Sequence, residues 1–307
     1  MHLTTSKTLS FIFAPLIKLT KYMGVHCPVT LIKIRYFAQF GKFPDLKNPN
    51  DLNEKILYLK LFSDTSMWTD IADKYKVRDY VKKCGLEETL VELYGVWYNA
   101  ESFNLDELPN SFILKANNGD GKGTNHIIKD KNEWDNNKLR TIIDKWLKRK
   151  NIGALAAEPQ YENIRPCVIA EELLPLEEGS KSLIDYKIWC FNGKAHNILT
   201  CSSRSQKSVC LGCYDLEWNY YPENLIPSKD YPLESEPLLK PINLDEMIKL
   251  AEELSKPFPQ VRVDLYNIKG KIYFGELTFT SLGGMMYYYT PEFLLEMGSK
   301  VDVNYKG

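Results

Sequence analysis

The chain has few histidines, an odd number of cysteines and no long apolar run, and each of these scarcities excludes a class of protein. Its four histidines, His2, His26, His126 and His196, have no metal-ligand spacing. The seven cysteines, at 27, 84, 167, 190, 201, 210 and 213, are scattered over 307 residues. An odd count in a chain this long argues against a disulfide framework and for reduced thiols. Only Cys210 and Cys213 have CxxC spacing, with no second pair or nearby histidine to complete a zinc set, so they read as half-buried strand residues. No segment reaches the roughly 18 to 20 apolar residues that span a bilayer. There is no G-x-S-x-G elbow and no Cys-His pair at informative spacing. Net charge is −1, which argues against a general nucleic-acid binder.

The most informative stretch lies in the last quarter. Val261 to Tyr266 alternates, a turn follows at Asn267 to Gly270, and Lys271 to Thr278 returns. This predicts a β-hairpin. By the period of two, Arg262, Asp264 and Tyr266 share a face, as do Glu276 and Thr278 on the returning strand. Asp264 and Glu276 fall roughly opposite. Two carboxylates so placed repel by about 1 kcal/mol or more, and a site that keeps both usually holds a cation. Their hard oxygens suggest Mg²⁺ with a phosphorylated substrate.

Residues 1 to 60 are basic and helical in tendency. Leu9 to Leu19 is apolar and contains Pro15; no small-residue cleavage site follows, so it reads as a docked helix. The alternative is a peripheral membrane contact with Lys18 and Lys21 at the headgroups. Asn50 to Glu54 caps an amphipathic run, and a second helix is expected over 70–83. Strands are expected at 90–97, 112–115, 125–129 and 167–173, with a helix over 130–150 whose Leu139, Ile142, Ile143, Trp146 and Leu147 form one face. A hairpin over 184–202 turns at Asn192-Gly193. Residues 219–241 read as irregular. A helix over 243–256 carries a capping box, Asn243 and Glu246. The class is α+β, antiparallel hairpins with helices packed on them.

Between strands 112–115 and 125–129 lies Asn117 to Thr124, with glycines at 119, 121 and 123 and Lys115 just before it. It reads either as a flap over ATP phosphates or as a mobile hairpin tip. It is not a Walker A loop. Glu171-Glu172 ends a strand and is either solvated or an acceptor for an adenine amino group. Lys187 faces phosphate or solvent. Arg204 is a candidate carboxylate clamp. The aromatic run Met285 to Tyr289 is core, or else stacks on a sugar.

The ordered set resembles an ATP-grasp enzyme: lysine with a glycine flap, strand ending in Glu-Glu, R-x-D, then E-x-T and a glycine pair. Within that superfamily it is similar to the TupA-like group of bacterial cell-surface polysaccharide and teichuronopeptide gene clusters. The matching segments include Leu52 to Lys55, Ala72 to Tyr75, Phe112 to Lys115, Asp130-Lys131, Ile169 to Glu172, Asp185 to Lys187, Cys190 to Gly193, Val261 to Tyr266 and Gly275 to Thr280. The resemblance implies two α+β subdomains gripping ATP behind a helical N-terminal region. The expected divisions are 1–60, a lobe at 61–108, a small subdomain with the flap at 109–175, and a C-terminal subdomain with the Mg²⁺ site at 176–307.

It also implies roles. Lys74 and Lys115 would hold the ATP phosphates, and Gly119, Gly121 and Gly123 would form the flap. Glu171, Glu172 and Leu174 would sit at the adenine and Glu178 at the ribose. Asp264 and Glu276 would bind Mg²⁺. Arg262, with Lys187 and Lys115, would neutralise charge in the transition state. Gly283-Gly284 would offer amides to an acyl oxyanion, with Arg204 on the substrate side. Thr278 stands where many ATP-grasp ligases carry Asn, which weakens that neutral metal ligand. The implied activity is ATP-dependent amide formation between a carboxylate and an amine through an acyl phosphate, on a surface-polysaccharide precursor in the cytoplasm or at the inner face of the membrane. Its rivals are a kinase or other glycan-modifying transferase on the same ATP site, and a nucleotide-binding scaffold of a polysaccharide assembly complex.

Overall fold

The computed structural model describes residues 5–119, 123–150, 152–177, 179–180, 182–205 and 207–307, with side chains from residue 15 onward. Three helices open it: α1 (Thr5–His26), α2 (Pro28–Phe40) and α3 (Leu52–Phe62). Asp51 caps α3 by accepting the Glu54 N–H at 2.8 Å. The helix expected over 70–83 is two helices, α4 (Ser66–Ala72) and α5 (Val77–Lys83). Asp73 causes the break. Its buried carboxylate accepts the N–H groups of Tyr75 (2.9 Å) and Lys76 (3.3 Å), a local alternative to helix that turns the chain and sets Lys74 apart.

Two antiparallel sheets follow. The smaller runs β1–β4–β2–β3, from β1 (Leu93–Trp97), β2 (Phe112–Ala116), β3 (Asn125–Ile128) and β4 (Val168–Glu171). Helix α6 (Asn136–Leu147) covers it, packing Leu139, Ile143 and Trp146 with Phe112, Leu114 and Ala170. The helix expected over 130–150 is shorter because Asp135 caps it, accepting from Asn137 and Lys138.

The larger sheet runs β7–β6–β5–β8–β9, from β5 (Asp185–Phe191), β6 (Lys194–Ser202), β7 (Cys210–Tyr214), β8 (Gln260–Ile268) and β9 (Lys271–Thr278). The β5–β6 turn has φ 50° at Asn192 and 73° at Gly193, the left-handed pair that an Asn-Gly dipeptide tolerates. The β8–β9 strands run closer to their turn than expected, leaving only Lys269-Gly270 between them. Helices α7 (Leu244–Ser255) and α8 (Pro291–Ser299) complete this half. The capping box on α7 does not form. The Asn243 side chain donates to Glu246 and to the Gly270 carbonyl and accepts from Asn267, tying the helix to the hairpin turn instead.

The segment 61–108, expected as one lobe, contributes to both cores. Trp68, Ile71, Val77 and Val81 pack with the large sheet, whereas β1 pairs with β4. Leu52, Ile56 and Leu59 of α3 join the large core as well. Met285, Met286, Tyr288 and Tyr289 of the aromatic run are buried in the core, whereas Tyr287 is exposed. All seven cysteines are free thiols, Cys210 partly buried and Cys213 buried on β7. Among the described residues no helix is long and apolar enough to cross a membrane.

Candidate active site

The register of β8 on β9 pairs Arg262 with Thr278 and Asp264 directly with Glu276. A bulge after Asp264 re-aims the strand beyond the pair. On the other side β5 places Lys187 against Asp264. Five side chains therefore meet on the central strands. Arg262 grips Asp264 with two bonds, Nε to Oδ1 at 2.7 Å and Nη2 to Oδ2 at 2.8 Å. Nη1 donates to Ser281 Oγ at 2.6 Å, and Nη2 also reaches Thr278 Oγ1 at 3.2 Å. Lys187 is ion-paired with Asp264 and lies 3.8 Å from Asp185. Asp185 in turn pairs with Arg204. The Thr278 hydroxyl donates to Glu276 at 3.1 Å.

Arg262, Asp264 and Lys187 side chains are at most 12% exposed, whereas Glu276 is 44% exposed at the mouth. Burial alone would raise the Glu276 pKa. Lys74, Lys187 and Arg262 outweigh it and hold the carboxyl at about 2. Burial also opposes the charge on Lys187, and Asp264 more than offsets it, raising that pKa. Burial likewise opposes the charge on Arg262 and is overcome by Asp264. Glu276, Lys187 and Arg262 are thus charged at neutral pH.

Lys74 joins this centre to the small sheet. Its N–H donates to the Asn117 carbonyl at 3.0 Å, its ammonium donates to the Gly119 carbonyl at 2.9 Å, and it lies 3.7 Å from Glu276. Lys115 on β2 pairs with Glu171 on β4 at 2.7 Å. Arg78, on α5, takes the other oxygen of Glu171 at 3.1 Å. Glu171 is therefore bound by two cations and stands with the lysines. Glu172 is tied by its N–H to the Glu92 carbonyl, and Leu174 joins a small apolar cluster with Val91, Ile268 and Tyr273. Gly119 and Gly123 flank the loop tip; Gly121 and Glu178 lie outside the described residues.

Gly283 and Gly284 have φ of 68° and 80°. A Cβ on Gly284 would meet Leu57 at 2.9 Å, so α3 requires a glycine there. Lys60, which the sequence patterns did not single out, holds this turn. Its buried ammonium donates to the carbonyls of Gly283 and Ala156, both at 2.7 Å. Burial pulls its pKa down to about 8. Arg78 and Ser281 were also missed. Arg78, on α5, lies four residues beyond Lys74, a spacing that is a signal only once the fold is known. Ser281 has none. A cavity of about 770 Å³ bordered by Cys84, Lys249, Glu253 and Lys271 shares no residue with this cluster.

The family model of TupA-like ATPgrasp proteins matches residues 54–302, and the chain belongs to that family. It is therefore an ATP-grasp ligase that binds ATP. No curated protein is significantly similar to it. Among solved structures, D-alanine–D-alanine ligase from Bacillus anthracis is 17% identical with a TM-score of 0.47, over 75% of this chain and 67% of that one. The corresponding ligase from Helicobacter pylori is 14% identical with a TM-score of 0.42, over 83% and 68%. N5-carboxyaminoimidazole synthase from Aspergillus clavatus is 9% identical with a TM-score of 0.38, over 70% of this chain and 46% of that chain. The chain thus spans between about half and two thirds of these proteins, and the family match carries the assignment.

Proposed function

We propose that this protein is an ATP-dependent carboxylate–amine ligase that modifies a precursor of a cell-surface polysaccharide, joining an amino acid or amino sugar to a uronate. The observation that supports it best is the Asp264–Glu276 pair, set directly opposite on two strands and surrounded by Arg262, Lys187 and Lys74. A scaffold has no need of such a cluster.

The donor set fits Mg²⁺. Two carboxylates and a hydroxyl are hard oxygen ligands, Glu276 is ionised at neutral pH, and its side chain is open to solvent. Magnesium usually takes one or two carboxylates and completes its shell with water and substrate phosphates, so no third acid is required. Asp264 and Glu276 would hold the ion, with Thr278 assisting. Bound there, it supplies positive charge to the phosphate oxygens.

The chain's own residues do the rest. Lys74, from the turn between α4 and α5, and Lys115, from β2, hold the phosphates, Lys115 being kept in place by Glu171. A substrate carboxylate oxygen attacks the γ-phosphorus and the bond to ADP breaks. Arg262 and Lys187 offset the charge that develops. The amine nitrogen then attacks the acyl carbon, phosphate leaves, and the amine loses a proton. Ser281, held by Arg262, carries the turn that presents Gly283 and Gly284. Arg204 steers the substrate carboxylate.

Calorimetric titration with a non-hydrolysable ATP analogue, with and without Mg²⁺, tests the site. Magnesium-dependent binding by the native protein, lost in Asp264→Asn/Glu276→Gln, is expected. Equal binding by both proteins would defeat the metal assignment. ADP release that requires both a carboxylate and an amine separates ligation from phosphoryl transfer to a hydroxyl.

A further inference from the structure

We infer that the two N-terminal helices form a docking surface for an anionic lipid membrane. Residues 1–44 contain six of the chain's 39 Lys and Arg and none of its 40 Asp and Glu, so this stretch carries +6 and the remainder −7. The family match begins only at residue 54, so these residues lie outside it.

Apolar side chains accompany the charge. In α1, Leu16, Ile17 and Leu19 are between 47% and 57% exposed, and Tyr22 is 60% exposed. The helix is anchored by its other end, where Gly24 packs so closely on the Ala154 carbonyl that a Cβ would lie 1.7 Å from it. In α2, Leu31, Ile32 and Tyr36 face inward, leaving Ile34 and Phe37, one turn apart, on the outside. Phe37 stacks on Phe43 with centroids 4.9 Å apart, and both rings are exposed. Lys33 and Lys42, next in sequence to Ile34 and Phe43, are exposed.

Single exposed apolar residues are ordinary; these seven, within one stretch that carries charge of only one sign, are not. Nucleic acid would be met by the lysines but gives no role to Ile34 or the exposed aliphatic side chains of α1. A second copy would bring +6 against +6. An anionic bilayer satisfies both halves, with headgroup phosphates for the lysines and the acyl boundary for the side chains between them. The inference uses no part of the nucleotide assignment.

Flotation of the full chain with vesicles tests it. One preparation is phosphatidylcholine and the other contains about one third phosphatidylglycerol. We expect a preference of about tenfold or more for the anionic vesicle, falling as salt rises. Lys33→Glu/Lys42→Glu abolishes the preference, and Phe37→Ser/Phe43→Ser weakens binding to the anionic vesicle. All four side chains are exposed, so an unchanged thermal midpoint verifies folding. Equal binding to both vesicles, or binding to neither, would overturn the inference. So would heparin binding that survives loss of the two rings without vesicle binding, which marks a polyanion site. Self-association abolished by Phe37→Ser/Phe43→Ser, again without vesicle binding, would make a second copy the occupant.

Discussion

Asp264→Asn and Glu276→Gln remove carboxylates that lie opposite one another, yet the structure predicts different costs. Asp264 is the shared counter-ion of Arg262 and Lys187, and all three side chains are nearly closed to water. Its amide replacement leaves two buried cations facing a neutral group. Breaking one buried pair costs about 3–5 kcal/mol. Part is recovered, because Asp185 lies 3.8 Å from Lys187 and Glu276 lies 3.6 Å from Arg262. The lower end, about 3 kcal/mol, is therefore expected. At about 2 °C per kcal/mol for a chain of this size, the midpoint falls by about 6 °C. Glu276 is 44% exposed, and solvent screening reduces its pairs to about 0–1 kcal/mol, or less than about 2 °C. Scanning calorimetry of the two variants beside the native protein reads this directly. Both should lose magnesium-dependent nucleotide binding, so stability and metal dependence separate. Equal midpoints for the two variants would refute the reasoning, since Asp264 would not then be the counter-ion of a buried network.

Two further outcomes follow from other contacts. The Asn53 amide donates to the Met286 carbonyl at 3.0 Å and accepts its N–H at 2.9 Å, both buried. Asn53→Leu orphans both groups and should lower stability by about 2 kcal/mol or more, read as a lower denaturant midpoint at unchanged slope. Glu276 is held at about 2 against its usual 4.5. A depressed carboxyl stabilises the fold fully above its unfolded value and loses that contribution as pH falls through the folded one. The native protein and Glu276→Gln should therefore converge in stability between pH 4.5 and 2; parallel acid curves would contradict the ion pairs assigned to Glu276.

Local pattern carried the elements whose partners are near in sequence. The β8–β9 hairpin was legible because alternation brackets a turn, but the turn's register alone would set Asp264 opposite Gly275; the bulge after Asp264 brings Glu276 opposite it. The Asn192-Gly193 turn and the apolar face of α6 were legible for the same reason: each is decided within a few residues. What failed locally was decided by competing side-chain bonds. Asp73 divided an expected helix, and Asn243 turned from its cap to a hairpin. The rest needed tertiary structure. β4 inserts between β1 and β2, bringing Glu171 to Lys115 and Arg78 from 56 and 93 residues away. Lys60 meets Gly283 across 223 residues. The sequence by itself determined which residue types could serve a phosphate and metal site, because period and turn chemistry are short-ranged. Only the tertiary structure decided which cation neutralises which carboxylate beyond the Arg262–Asp264 pair on one strand, because the other pairs cross between strands or helices that no local rule aligns.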